Sequence, residues 1–282
     1  MVEEKLLFFK IDELLAMDIQ YQIISVFTDQ KRGFRGNPSA VILLERELSD
    51  TELTEIANSL DQPATTFLWE IPVNGEYKVR WFAPGAEIGL CGHGTAAAAA
   101  FLYQKTGENG PFKLHYAEGI VEGQVNADQT ISISINVIPV QEKIETVPEA
   151  ISRGLGIPVL EMYKTANKHI ILTDSEQSIE KMQPDFEQLR KSEIFGYAIT
   201  AKGDEVDFVS RTLVPHTTIL EDSATGSSHA MLLPFWAERL NKIHFNTLQL
   251  SARGGAFLGE MNGGVVKLCG EYMMEEKGKI SI

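Results

Sequence analysis

The stretch RWFAPGAEIGLCGHGTAAAAAFLYQK, Arg80 to Lys105, joins a strand to a helix through a glycine-rich corner. Tyr77, Val79 and Trp81 alternate with polar neighbours, the period of a strand with one buried face, and Pro84-Gly85 closes it. The run AAAAAFLYQK from Ala96 has high helix propensity and stops at Gly107. CGHGT, Cys91 to Thr95, therefore lies at the mouth of a helix. The scheme returns later: DFVSRTLVP (Asp207 to Pro215) reads as a strand ending in proline, and EDSATGSS (Glu221 to Ser228) leads into HAMLLPFWAERL. Aligned on their prolines, RWFAP and RTLVP match, and each is followed by an acidic residue, a glycine beside a His or Ser, and a helix rich in small residues, an ordered two-copy repeat. Pro234 falls inside the second helix and is expected to kink it or reset its start.

Outward from these corners the chain alternates strands and helices. IQYQIISV (Ile19 to Val26) and AVILL (Ala40 to Leu44) read as a β-hairpin or meander. Ser49 and Glu52 form a capping-box pattern ahead of a helix carrying Leu53, Ile56, Ala57 and Leu60 on one face. ISISINV (Ile131 to Val137) alternates as a half-buried strand, with a domain crossover expected just before it, and helical patterns follow Pro148 and span about Asp174 to Lys191. Leu7, Ile11, Leu14 and Leu15 have helical spacing, an amphipathic extension ahead of Met17.

Composition excludes several classes. At 282 residues, with 44% hydrophobic and 23% charged side chains, the chain can build a sizeable core and is far from the make-up of disorder. With 25 basic against 39 acidic residues the net charge is −14, which argues against nucleic acid or an anionic membrane as partner. Two cysteines, Cys91 and Cys269, make no disulfide framework and no zinc spacing, and fit a reducing cytoplasm. No stretch reaches the ~18 apolar residues of a membrane span, and the acidic N-terminus does not read as an export signal.

A helix start presents unpaired N–H groups and the positive end of the helix dipole, so two such starts facing each other can hold a carboxylate or oxyanion. Gly92, Gly94 and Thr95 on one side, and Thr225, Gly226 and Ser228 on the other, are the candidate donors for a small carboxylate substrate. One start alone would be an ordinary cap, which Thr and Ser satisfy well. Two, each crowded with titratable groups, favour a site. His93, between two glycines, can act near neutral pH as acid or base; Asp222 shares a turn with Thr225, Gly226 and Ser227 and is a candidate for proton transfer. Glu87 reads equally as a second base or a solvated loop charge, and Cys91 equally as a thiolate favoured by the helix start or a buried small hydrophobe. The remaining histidines lack metal-ligand spacing, and no metal is expected. Gly92, Gly94 and Ala97 also satisfy G-x-G-x-x-A, with Glu118 about 20 residues on, which would make the protein a nicotinamide oxidoreductase; against this, Pro84 to Glu87 lengthen the turn after the strand.

GNPSAVILL at Gly36, RWFAPGAEIGLCGHGT at Arg80, EDSATGSSHAMLLPFWAERL at Glu221 and SARGG at Ser251 together resemble the PhzF-like isomerases of phenazine biosynthesis, in order and over nearly the whole chain from Met17. The resemblance implies an α/β (α+β) fold of the diaminopimelate-epimerase type. Two similar halves, residues 18–124 and 125–282 after an extension at 1–17, would each wrap a curved, mostly antiparallel sheet around a central helix, and the first half would also receive the C-terminal strand. It implies proton movement between carbons of a small cyclic carboxylate without cofactor, in a homodimer, with His93, Asp222 and Ser227 at the family's polar positions. The family's glutamate, first in an ETxF string, falls on Ala64 of ATTF, so either another group supplies the base or the protein binds without turnover. Cys91 matches one of the two cysteines of the epimerase relatives, and the second falls on Ser223.

Overall fold

The computed structural model describes residues 18–281, so the helical spacing of Leu7 to Leu15 lies outside the described residues. Strand β1 (Asp18–Thr28) pairs antiparallel with β2 (Asn37–Leu44), Val26 opposite Asn37, as the two apolar runs predict. Ser49 then starts α1 (Asp50–Leu60) with a complete capping box: its hydroxyl accepts from the Glu52 N–H, and the Glu52 carboxylate accepts from the Ser49 N–H. Burying Leu53, Ile56 and Ala57, α1 returns the chain so that β3 (Ala64–Glu70) lies parallel to β2. β4 (Glu76–Ala83) runs back along β3 and folds at Pro84-Gly85 into the short β5 (Ala86–Ile88). After α2 (Gly92–Thr106), β6 (Phe112–Tyr116) joins β4 in parallel, and β7 (Gly119–Val125) and β8 (Ile131–Asn136) continue antiparallel.

The second half is β9 (Val140–Lys143), α3 (Glu149–Leu155), β10 (Glu161–Thr165), β11 (His169–Leu172), α4 (Glu176–Lys181), α5 (Phe186–Leu189), β12 (Tyr197–Lys202), β13 (Phe208–Val214), β14 (Leu220–Asp222), α6 (Gly226–Leu240), β15 (His244–Gln249), β16 (Gly255–Asn262) and β17 (Val265–Ser281). Its ladders copy the first half. β2 and β3 are parallel, as are β11 and β12; β4 turns into β5 as β13 turns into β14; β4 receives β6 in parallel as β13 receives β15. β8 belongs to the first unit, because it pairs with β7 from Glu122↔Ser134 to Val125↔Ile131, so the change of halves falls after Asn136 rather than at 124/125. β17 serves both halves, pairing on the second-half side with β16 from Leu258↔Cys269 to Asn262↔Val265. Val265–Gly270 pairs with β8, and Glu271–Ser281 pairs with β1, which closes the first sheet into a ring of β1, β2, β3, β4, β6, β7, β8 and β17.

Inside that ring the middle of α2 is enclosed, and this is why it is made of alanine: Ala96 to Ala100 all have 0% exposure, and side chains of any length would collide with the strands. The second sheet stays open and wraps a bulkier helix, in which Met231, Leu232, Leu233, Phe235 and Trp236 fill the larger space. Each of those large side chains contributes about 1.5–3 kcal/mol by burial, so α6 is held mainly by its own bulk and α2 by its container. Pro234 does not restart α6, which runs unbroken from Gly226 to Leu240. The carbonyl of Ala230, deprived of its helical donor by the proline, accepts instead from the Ile138 N–H at 3.1 Å.

Candidate functional site

The two corners meet. Gly92 opens α2 and Gly226 opens α6, and a Cβ on Gly92 would lie 3.3 Å from the Cα of Gly226. The residues before them have nearly the same backbone: Cys91 has φ −112 and ψ 105, Thr225 φ −114 and ψ 105. Thr225, not Ser223, is thus the second-half counterpart of Cys91. The hairpin ahead of it explains the misalignment: the β13–β14 turn is longer than the β4–β5 turn, so counting from the proline falls short of Thr225.

Asp222, half-buried at the end of β14, is the charge of the site. Its Oδ1 accepts from Asn37 Nδ2 at 2.6 Å and its Oδ2 from the Thr225 hydroxyl at 2.8 Å. Gln249 fixes the same corner, accepting from the Thr225 N–H at 2.9 Å and donating to the Asp222 carbonyl at 2.5 Å. Because the Thr225 hydroxyl is turned to Asp222, no side chain caps α6. The N–H groups of Gly226, Ser227 and Ser228 are left for an anion.

The start of α2 is more occupied. The Gly94 N–H donates to the Cys91 sulfur at 3.4 Å, and the N–H and hydroxyl of Thr95 donate to the Cys91 carbonyl at 2.9 and 2.8 Å. Gly94 is a packing glycine, since a Cβ there would lie 2.6 Å from the Trp81 ring and 2.8 Å from the Thr66 hydroxyl. Gly94 and Thr95 therefore face the core and Gly92 alone of that trio reaches the cleft. On the other side the Thr225 N–H is taken by Gln249, and the Ser228 hydroxyl, fully buried, accepts from Thr212 at 2.8 Å.

His93 is 7% exposed, with its Nδ1 at 3.5 Å from the Cys91 sulfur. Burial pushes its imidazole below the ordinary range and the Asp222 charge pulls the other way, so the ring is neutral at pH 7. Burial pushes the Cys91 thiol up to about 12, with Asp222 adding to the rise; the helix-start N–H groups oppose this and lose. Cys91 is a neutral thiol, not a thiolate base. Glu87 is not at the site either: Arg80 holds both its oxygens, at 2.8 and 2.6 Å, on the outer face of the β4–β5 hairpin. The second half repeats that clamp, with Arg211 on both oxygens of Glu221 at 2.7 and 2.8 Å.

One residue enters that no motif marked. Lys168, 5% exposed at the turn before β11, donates to Ser227 Oγ at 2.9 Å and to Asn167 Oδ1 at 2.7 Å. Burial lowers its ammonium to about 8, against the pull of Asp222. Ser227 in turn lines a cavity of about 180 Å³ with Leu90, Gly92, Tyr116 and Ile138. A larger concavity of about 980 Å³ lies by Tyr21, Phe101 and Lys105 at the far end of α2, and none of the site residues lines it. The dinucleotide reading has no room: Gly226 fills the face of Gly92 that a pyrophosphate would need, and an antiparallel hairpin, not a parallel strand, precedes α2. Among the described residues no group of three or more His, Cys, Asp or Glu is placed to hold a metal, and no helix is long and apolar enough to cross a membrane.

Two α/β halves, each a sheet curved about a helix and meeting at the two helix starts, make an epimerase-like fold. A hydroxyproline epimerase of Agrobacterium vitis has this fold, with a TM-score of 0.66 over 94% of this chain and 93% of its own at 11% identity. The chain belongs to the phenazine biosynthesis-like family, PhzC-PhzF, which it matches over residues 24–277, as the sequence resemblance implies. It is 32% identical over 267 residues to an uncharacterized isomerase of Pseudomonas aeruginosa, covering 94% of this chain and 100% of that one. The crystal structure of a PhzF family protein from Enterococcus faecalis superposes with a TM-score of 0.85 at 30% identity, over 94% of this chain and 100% of that one.

Proposed function

We propose that the protein is a cofactor-independent isomerase that moves a proton between carbons of a small carboxylate held at the two helix starts. The observation that carries this reading is the convergence of Asp222, His93 and Ser227 on the junction of Gly92 with Gly226, beside an uncapped α6. The substrate carboxylate sits on the N–H groups of Gly226, Ser227 and Ser228, where each anion–helix contact is worth about 0.3–1 kcal/mol and up to about 2 when partly buried. As a carbon is deprotonated, negative charge grows on that carboxylate, and the same donors then bind it more strongly than they bind the ground state. His93, neutral and buried, and Asp222, oriented by Asn37 and Thr225, handle protons, while Ser227 orients the substrate. The relatives named isomerase and epimerase support the same class of reaction.

Incubation with a panel of small carboxylates (proline, pipecolate, shikimate and cyclohexadiene carboxylates) in deuterated water tests it. Deuterium entering a carbon, seen by NMR, is the expected result. Tight binding without exchange in every case would instead make the protein a binder, the reading that Ala64 motivates.

A further inference from the structure

In the first half Thr65 of β3 stands opposite Phe82 of β4; in the second Tyr197 of β12 stands opposite Leu213 of β13. Carrying these ladders onto each other puts Gly196 at the place of Ala64 and Lys168 at the place of Ser39. The first half therefore presents a methyl group and a hydroxyl at this station, with Ser39 Oγ donating to the Ala64 carbonyl at 3.0 Å and contacting Thr66 Oγ1 at 2.9 Å. No ionisable side chain stands there. The second half presents a primary amine, one hydrogen bond from Ser227 and so directly behind the wall of the cavity.

The surroundings of that amine are unusual for lysine. Its hydrogen-bond partners are a hydroxyl and an amide, and among the described residues no carboxylate lies within ion-pairing distance. Gly196 leaves room for its stem, since a Cβ there would lie 3.3 Å from Lys168 Cγ, and the Phe195 ring lies 6.0 Å from Nζ. The charge acting on it is that of Asp222 on β14; from α2 come only the neutral His93 and Cys91, and His169 next in sequence answers to Lys164 and Glu142 instead. A buried ammonium is costly and the Asp222 charge offsets that only in part, so Nζ gives up its proton more readily than an exposed lysine does.

We propose that Lys168, supplied by the second half, is the base that takes the substrate proton, across the cleft from the station where the first half has no ionisable group. The proposal rests on the isomerase reading given above. The neutral amine removes a proton from carbon: the C–H bond breaks, an N–H bond forms at Nζ, and the electron pair passes into the carboxylate bound at the helix starts. The ammonium then gives the proton up to the second carbon by way of His93 and Asp222, and the amine is regenerated, with Ser227 and Asn167 holding Nζ in place throughout. The lowered ammonium pKa fits a base working near neutral pH.

The test compares wild type, Lys168→Ala and Lys168→Arg in the deuterium-exchange assay, with circular dichroism to establish folding. Arginine keeps the positive charge and cannot serve as the base, so both variants are expected to lose exchange by about 10²–10⁴-fold, while Lys168→Arg still binds the carboxylate. Wild-type exchange is expected to rise with pH and level off above about 8. Exchange retained within a few-fold in Lys168→Arg would reduce Lys168 to a counter-ion and overturn the proposal, and so would a substrate adduct trapped on Lys168 by borohydride. If both variants instead unfold, 15Nζ NMR of wild-type Lys168 decides: a midpoint near that of an ordinary lysine overturns the proposal, and one near 8 supports it. Absence of exchange in wild type on the whole panel would sink the isomerase reading and this proposal together, whereas loss in Asp222→Asn with retention in Lys168→Ala would sink this proposal alone.

Discussion

Gly92 and Gly226 stand with their Cα atoms so close that a Cβ added to either would come within 3.3–3.4 Å of the other's Cα. A methyl group is barely admitted and a branched side chain is not. Gly92→Val and Gly226→Val are each expected to cost about 1–3 kcal/mol by overpacking and to part the helix starts. Urea unfolding and ligand binding measured on the same variants check this, and a variant that kept both would show that the contact is not needed.

Asp222 acts on three neighbours at once. Its charge raises the pKa values of Lys168 and His93, against burial, and adds to the rise at Cys91. Asp222→Asn is expected to lower His93 and Lys168 further, to bring Cys91 back down, and to abolish exchange while leaving the fold intact. The His93 ring signals followed by NMR across pH report the shift; an upward move would contradict the assigned field.

His229 gives stability a pH dependence. Its Nδ1–H donates to the Thr225 carbonyl and its Nε2 accepts from the Thr247 hydroxyl, both at 3.0 Å, which fixes the neutral tautomer in a fully buried place. Burial depresses it from 6.5 to about 4, against the Thr225 hydrogen bond. The unfolded chain thus binds the proton first, and stability falls as pH drops from about 6.5 toward 4, by about 3 kcal/mol at most. His229→Gln should flatten that slope in urea titrations at a series of pH values; an unchanged slope would assign the acid sensitivity elsewhere.

The two arginine clamps should differ in worth. Arg211 and Glu221 have side chains 12% and 18% exposed, and Arg211 also donates to the carbonyls of Met182 and Ile179. Arg80 and Glu87 are 20% and 44% exposed. Arg211→Met is expected to cost about 3 kcal/mol, because it strands a carboxylate and two carbonyls; Arg80→Met, about 1 kcal/mol or less. Equal losses on denaturation would mean that burial does not set the difference.

Much of this was legible in the chain. Capping at Ser49, the alanine helix and the match of RWFAP to RTLVP are local signals, and local signals survive folding. Asp222, His93 and Ser227 were marked because they sit on those signals. Lys168 carried none: NKH is an ordinary turn, and only the pairing of β11 with β12 brings its amine to Ser227. Asn37 and Gln249 were hidden for the same reason, as each orients Asp222 or Thr225 from a distant strand. Between the two readings open at Cys91 the structure favours the buried small hydrophobe, since a helix start favours thiolate only where water or a cation remains, and this one is buried. Glu87 needed the hairpin register to reveal its partner.

The strand β17 sets an order of events during synthesis. Its last stretch, Glu271–Ser281, supplies the stave that closes the first ring against β1. The half made first therefore cannot finish until Glu271–Ser281 has been made and has left the ribosome, and the alanine helix waits in an open trough meanwhile. Its closing contacts span some 250 residues of sequence, as between Tyr21 and Glu276, the kind of separation that slows folding and prolongs exposure of unpaired edges. Breaking the pairing of Glu271–Ser281 would injure the half that was made first.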